Sequence, residues 1–450
     1  MELRIKEIVS ACGGTLLCGD ENILIHDVST DTRTIKEGML FIPLKGESFD
    51  GHKFIDKAVE GGACAVLTEL DGDYGVPAIK VADTHLAMGA LAAYYIKKLN
   101  VPTVAITGSV GKTTTKDMIA SVLAKHFNVC KTRGNLNNDI GVPLTVFSLL
   151  PEHTAAVIEM GMNHFKEISY LTNIVKPDIA VITNVGVSHI ENLGSREGIL
   201  QAKCEIFEGL KENGTAIVNG DNDMLITLQG KRDNIVLFGI NPNFDIYADN
   251  ITEHGINGIS CTIHRGGTSF DVNIHIPGRH MVSNALAAAA AGFALGMSAE
   301  EIKSGIESFQ PAKMRMDIIR KGNLTIINDV YNSNPVSAMA AVDVLASQDG
   351  RRCAVLGDMF ELGDFGPKLH YELGEYTAKK AVDEIVCIGE ISKNMYEGAK
   401  SVRQTGVHYF ASQEDFFKEL DRIIIPPMTV LVKASRGMKF EKTTDKLKGE

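Results

Sequence analysis

The stretch ITGSVGKTTTK at 106–116 constrains this chain more than any other. An apolar run, VPTVAITG, precedes it and reads as a buried strand. DMIASVLAKHF follows with the apolar spacing of a helix. Strand, glycine-bearing turn, Lys-Thr and helix make the layout of a phosphate-binding loop. Gly108 and Gly111, with Ser109 between them, let backbone N–H groups close on phosphate oxygens without a Cβ in the way. The following helix adds the positive end of a dipole. Lys112 is placed to reach the β- and γ-phosphates, and the hydroxyl of Thr113 or Thr114 to sit on Mg²⁺. The spacing G-x-x-G-K-T is shorter than the usual Walker pattern, with Thr107 where an upstream glycine would stand.

A chain of 450 residues has room for about three domains of about 150 residues each. A net charge of −11 argues against non-specific nucleic-acid binding, which needs a basic surface. No apolar run is long enough to span a membrane, and MELRIKEIVS lacks the basic-then-apolar order of a signal peptide. The eight cysteines form no C-x-x-C pair, so neither a zinc site nor a redox motif is expected. Scattered thiols of this kind fit a reduced, cytoplasmic protein.

Residues 1–82 alternate short strands (LFIPL, ACAVL, AIKV) with helical segments and read as a small α/β domain. A helix-like stretch, THLAMGALAAYYIKKL, leads to Pro102. Continuous apolar runs (VAIT, AAVIEM, IAVITNVG, AIVN, IVLFG) then fit a parallel sheet buried on both faces, in a central domain over 83–311. Within it, 244–277 turns to the alternation of an antiparallel excursion, and NALAAAAAGFALGM at 284–297 reads as a buried helix. FQPAKMRM reads as a linker. Residues 312–450 (LTIINDV, RCAVLGD, EIVCIG, MTVLVKAS) read as a third, Rossmann-like α/β domain.

Several further motifs fall where this pattern puts strand ends. GNLNNDIGVPLT at 134–145 offers Asn135, Asn137 and Asn138, either to a ligand or to its own backbone as a turn. Glu159 ends the strand AAVIEM. A carboxylate there suits Mg²⁺, with a structural capping role as the alternative. His189, in TNVGVSHI, lies just beyond the next strand. Lys203, in QAKCEIFEGL, reads from spacing alone as a solvated helix lysine. Asp329, Tyr331 and Asn332 follow a strand, and Asn334-Pro335 would start the next helix. LGDMFELG at 356–363 is a similar loop, and VKASRGMKFE offers Lys433, Ser435 and Arg436 to an anion or forms a basic tail.

Taken in order, these motifs resemble the Mur ligase family over essentially the whole chain. STDTR at 29–33, LKG at 44–46 and DGHKF at 50–54 are similar to its uridine-nucleotide domain. TGSVGKTTTK, GNLNNDIGVPLT, EMG and NVGVSHI are similar to its ATPase domain, and NDVYNSNPVSAM and LGDMFELG to its C-terminal domain. The run D-x-Y-N-x-N-P-x-S is the most specific, because sister ligases carry other residues there. EMGMNHFKEI departs from the usual run at Met162, Phe165 and Lys166, while Glu159 matches.

The resemblance implies an ATP-dependent ligase of peptidoglycan precursor synthesis, and hence of cell-wall growth, shape and division. It implies that D-alanyl-D-alanine is joined to UDP-N-acetylmuramoyl-tripeptide through an acyl phosphate, with two Mg²⁺ ions; a monomer is the expectation, though the sequence does not give the oligomeric state. It reverses the reading of Lys203: in A-K-x-x-I-F that lysine is implied to be carbamylated and to ligate Mg²⁺ with Thr113, Glu159 and His189. It implies Asn284 near adenine, Arg315 at the γ-phosphate, Asp329 at the ribose, and Ser29 and Arg33 on the uridine nucleotide. Asn135, Asn137, Asn138, Tyr331, Asn332, Ser435 and Arg436 are expected around the substrates. A sister ligase and a phosphate-loop switch or motor are the competing readings; dependence of phosphate release on an acceptor separates them.

Overall fold

The computed structural model describes residues 1–46 and 48–449. By contact density the chain divides into two units, one of residues 1–107, 127–181 and 204–216, the other of 108–126, 182–203 and 217–450.

The first unit opens with a five-stranded sheet. Its strands run in the order Thr15–Cys18, Ala78–Lys80, Ala63–Thr68, Met39–Phe41, Asp27–Ser29. All neighbours are parallel except the first pair, so this segment folds as the α/β sheet its short strands suggested. Phe41, Ile55, Ala58 and Val66 form its core. Helix Thr84–Leu99 begins where the Asp83 side chain accepts from Leu86 N–H and ends at Asn100, which takes the left-handed conformation. Such a cap is worth about 1 kcal/mol. This helix packs on helix Ile5–Cys12 and also on helices Gly141–Phe147 and Glu167–Val175, so it serves the segments before and after it. Strands Val129–Lys131, Ala155–Glu159 and Thr103–Thr107 lie side by side and parallel, with Ile106 opposite Glu159.

In the second unit, helix Lys112–Leu123 packs on the Ala-rich helix His280–Ala294 and on helix Ala299–Glu307. Alanines at 285 and 287–291 are nearly all fully buried, so the run is a close-packing surface, as its composition predicted. Strands Ile246–Glu253, Ile259–Arg265 and Thr268–Ile274 pair antiparallel, which bears out the excursion expected at 244–277.

The C-terminal sheet has six strands. Their order is Asp317–Lys321, Leu324–Asn328, Met428–Lys433, Arg351–Gly357, Glu384–Ile388, Val407–Phe410. Only the first pair, a hairpin, is antiparallel. The last strand in sequence inserts beside the first parallel strand. This is an α/β sheet, but its order is not the 3-2-1-4-5-6 of the dinucleotide-binding fold. Helix Pro335–Ala346 starts as predicted, with Asn334 accepting from Ser337 N–H and Pro335 in its first turn. All eight cysteines are free thiols.

Candidate active site

The second unit gathers most of the predicted site. The turn at 108–111, expected to bind phosphate, is fixed by two requirements for glycine. A Cβ on Gly108 would stand 1.9 Å from Thr183 Oγ1, and Gly111 has φ +79°, which caps helix Lys112–Leu123 in the left-handed conformation. The turn is stitched to the TNVG loop. Ser109 N–H donates to Asn184 O (3.1 Å), and Val110 N–H to Asn184 Oδ1 (2.8 Å). Thr183 Oγ1 donates to Val110 O (2.8 Å), and Gly186 N–H to Ser109 Oγ (2.9 Å). This explains why two motifs some 70 residues apart occur together. Lys112 Nζ donates to Gly108 O at 2.8 Å.

Around this loop three side chains converge from far along the chain. Asn284 is buried and its Oδ1 accepts from Thr115 Oγ1 (2.9 Å), which orients its amide beside Gly111. Arg315 Nη2 donates to Thr113 Oγ1 (3.2 Å). Lys203, on helix Arg196–Cys204, is only 1 % exposed. The solvated helix lysine that its spacing suggests is thereby overturned. Burial, and then the neighbouring Lys112 cation, push its pKa well below the ordinary lysine value. Both effects favour the uncharged amine, the nucleophilic form, over the ammonium.

His189 starts the short helix Ile190–Leu193 at φ +65°, and its Nδ1 lies 3.8 Å from Glu361 Oε2 in the LGDMFELG loop. That loop is anchored by the buried His370, which accepts from Met359 N–H through Nε2 (2.9 Å) and bonds Gly366 O through Nδ1 (2.7 Å).

The DVYNSNP loop and the C-terminal tail interlock. Asp329 Oδ2 accepts from Lys433 Nζ (2.6 Å) and its Oδ1 from Met316 N–H (3.2 Å). Lys433 is 2 % exposed, so it is not offered to an anion as its sequence context suggested; a buried ammonium needs the carboxylate it has found. Ser435 is also buried, its hydroxyl accepting from Phe360 N–H (2.9 Å) and reaching Ser333 O (3.4 Å). Asn332 is exposed and its Oδ1 faces Arg436 N–H at 3.4 Å, while the Arg436 guanidinium lies 3.4 Å from Glu441. Neither the Lys433–Asp329 pair nor the Met316–Asp329 contact was legible, since each depends on a partner on another element.

The first unit carries two further groups. Glu159 is 2 % exposed; its Oε1 accepts from Asn137 Nδ2 (2.9 Å). Asn138 caps its own loop, accepting from Gly141 N–H (2.8 Å), and Asn135 is exposed. So the Asn-rich loop is a turn bonding its own backbone and, through Asn137, also a holder of the strand-end carboxylate. At Ser29–Arg33, the Ser29 hydroxyl bonds the Asp31 backbone and Thr34 Oγ1 and is buried. Arg33 is exposed and forks onto Asp31, which holds that carboxyl down at about 2.

Three family models tile the chain: "Mur ligase family, catalytic domain" over 24–102, "Mur ligase middle domain" over 106–292 and "Mur ligase, glutamate ligase domain" over 314–436. A Bacillus subtilis UDP-N-acetylmuramoyl-tripeptide–D-alanyl-D-alanine ligase is 40 % identical, covering 97 % of this chain and 96 % of its own. The chain belongs to the Mur ligase family. An Escherichia coli relative of the same description is 38 % identical over 98 % of this Mur ligase and 97 % of its own length. In structure, this Mur ligase is similar to MurF from Acinetobacter baumannii, with TM-score 0.94 and 35 % identity over 100 % and 99 % of the two chains. MurF from Thermotoga maritima, solved with ADP, gives TM-score 0.85 at 26 % identity over 94 % and 97 %.

Proposed function

We infer that this Mur ligase joins D-alanyl-D-alanine to UDP-N-acetylmuramoyl-tripeptide at the expense of ATP, in peptidoglycan precursor synthesis. The full-length similarity to ligases of that description carries the reading. The reaction is a sequence of two displacements. A carboxylate oxygen of the tripeptide attacks the γ-phosphorus, and ADP leaves. The dipeptide amine then attacks the acyl carbon, loses a proton, and expels phosphate. Both steps need anions brought together. Two unit charges at about 4 Å repel by about 4 kcal/mol at an effective dielectric of 20.

We assign Lys112, Arg315 and the loop N–H groups of 108–114 to offsetting that repulsion at the phosphates. The cradle that a Cβ at 108 would fill, and the arginine reaching Thr113, support nucleotide binding there. Asn284 is assigned to the adenine side and Asp329 to the ribose. The lysine–aspartate pair supports a fixed position for Asp329.

Among the described residues no three His, Cys, Asp or Glu side chains converge as a cage for a metal. Mg²⁺ commonly takes only one or two carboxylates and completes its shell with phosphate and water, so it does not require such a cage. Thr113, Glu159 and His189 are the residues we assign to hold it, with Lys203 once carbamylated. The ion supplies charge neutralisation at the phosphates. Burial that disfavours the ammonium of Lys203 supports carbamylation, because CO₂ adds to the free base only.

Residues 1–82, with Ser29 and Arg33, are assigned to the uridine nucleotide, 83–311 to ATP, and 312–450 to the dipeptide and part of ATP. Asn135, Asn137, Asn138, Asn332, Ser435 and Arg436 are the substrate-side candidates. Eight free thiols support a cytoplasmic site of action. No helix among the described residues is long and apolar enough to cross a membrane.

The test is acceptor-dependent turnover. ATP with UDP-N-acetylmuramoyl-tripeptide should release little phosphate, and D-alanyl-D-alanine should switch release on. Faster turnover with a single amino acid would assign the chain to a sister ligase. Turnover indifferent to any acceptor would favour a switch or motor.

A further inference from the structure

Arg315 sits in a backbone segment bent twice into the left-handed region, at Met314 (φ +65°) and Met316 (φ +51°). Two successive departures of this kind, in residues with a Cβ, persist only where the surroundings hold them. The DVYN loop does so. Tyr331 N–H donates to Met314 O (3.2 Å), and Met316 N–H donates to Asp329 Oδ1 (3.2 Å). From the C-terminal tail, Arg436 Nη1 lies 3.8 Å from Met314 Sδ.

Between these fastenings the Arg315 guanidinium lies over the face of the Tyr331 ring, 4.0 Å from its centroid. Arg436 approaches the same ring at 5.9 Å. The far end of the Arg315 guanidinium reaches Thr113 Oγ1. An arginine side chain has many rotamers, and an aromatic face that fixes the plane of its guanidinium removes that freedom before the ligand arrives. The face that carries Arg315 is also closed to an acceptor, although the motif's place in the chain suggested substrate contact for Tyr331.

We propose that Tyr331 is a positioning residue for phosphoryl transfer: its ring face, tied to the Met314 backbone, aims the Arg315 guanidinium at Thr113 of the phosphate loop. The proposal rests on the assignment of Arg315 to the γ-phosphate. The contact is through the π face and not the hydroxyl, so phenylalanine should serve in its place.

The experiment is steady-state kinetics on the full chain, with ATP varied and both organic substrates saturating, for Y331F, Y331L, Y331M, R315A and the double variant Y331L/R315A. Y331F should stay within about twofold of the parent. Y331L and Y331M, which fill volume without a π face, should each lose roughly 2- to 30-fold in kcat/KM for ATP. KM for the dipeptide should be unchanged in both. The double variant should be no slower than R315A alone, because the tyrosine acts through the arginine.

Losses that multiply in the double variant would overturn the role of Tyr331, as would a Y331F as slow as Y331L. A Y331M defect confined to the dipeptide KM would overturn it too, and return the residue to the acceptor. Full activity in R315A is a separate result; it would overturn the assignment of Arg315 on which the proposal rests. A Y331L that unfolds leaves the comparison of Y331F with Y331M to decide.

Discussion

Arg315 donates through Nη2 to the hydroxyl of Thr113 at 3.2 Å, across 202 residues of chain. The contact places a guanidinium fork at the first turn of helix Lys112–Leu123, where the dipole already favours an anion. Removing one preorganised donor from such a site costs about 10²- to 10³-fold in turnover. R315A is expected to lose that much in kcat while the uridine substrate still binds. Calorimetric titration with the muramoyl tripeptide, beside the kinetics, checks both halves. A tripeptide affinity that falls with kcat would point to a general structural role.

Gly108→Ala should eliminate nucleotide binding. Its Cβ would stand 1.9 Å from Thr183 Oγ1, which itself donates to Val110 O, so the clash breaks the stitching of the loop as well. Overpacking of this kind costs about 1–3 kcal/mol of stability. The expected result is a protein that still melts cooperatively, a few degrees lower, and no longer shifts its melting temperature with ADP. A normal ADP shift would remove the loop from the nucleotide site.

Lys203 separates stability from activity. Burial and Lys112 hold its pKa well below 10.5, so between the lowered value and 10.5 the unfolded chain binds one more proton than the folded one. Stability of the unmodified protein therefore rises with pH across that window. K203M removes the buried amine and should flatten this dependence without lowering the melting temperature, yet abolish ligation. With ¹³C-bicarbonate, the parent protein should show a carbamate carbon that K203M lacks. An active K203M, or a parent without that resonance, would refute the carbamate assignment.

Arg33→Ala should raise the KM for the muramoyl substrate about tenfold, the scale of one hydrogen bond to a charged group, and leave the KM for ATP unchanged. Its guanidinium is exposed and, among the described residues, pairs with Asp31 on the surface, so no core packing is lost. Initial rates with each substrate varied in turn decide it. Equal rises in both constants would mean that the turn supports the fold.

How much of this was legible depended on the range of each signal. The strand–turn–helix around Gly108 and Gly111, the cap at Asn334 and the Ala-rich helix are written in neighbouring residues, where spacing and composition act directly. Lys203 was not legible from spacing: a lysine in a polar helix reads as solvated, and only tertiary packing buries it. The Lys433–Asp329 pair joins residues 104 apart, and nothing local marks the two as partners. The insertion of strand Met428–Lys433 beside Leu324–Asn328 is a topological choice that apolar runs alone do not encode. The left-handed Met314 and Met316 run against residue preference, and they flank Arg315, whose guanidinium reaches Thr113.

The central claim is that the tripeptide carboxylate is phosphorylated before the dipeptide amine attacks. Isotope transfer tests it most directly. UDP-N-acetylmuramoyl-tripeptide with ¹⁸O in its terminal carboxylate is turned over with ATP and D-alanyl-D-alanine, and the released phosphate is analysed by mass. An acyl phosphate hands the attacking carboxylate oxygen to phosphorus, so each phosphate should carry one ¹⁸O, and the amide product should keep the other. Phosphate free of label, formed at the same rate as product, would contradict the account.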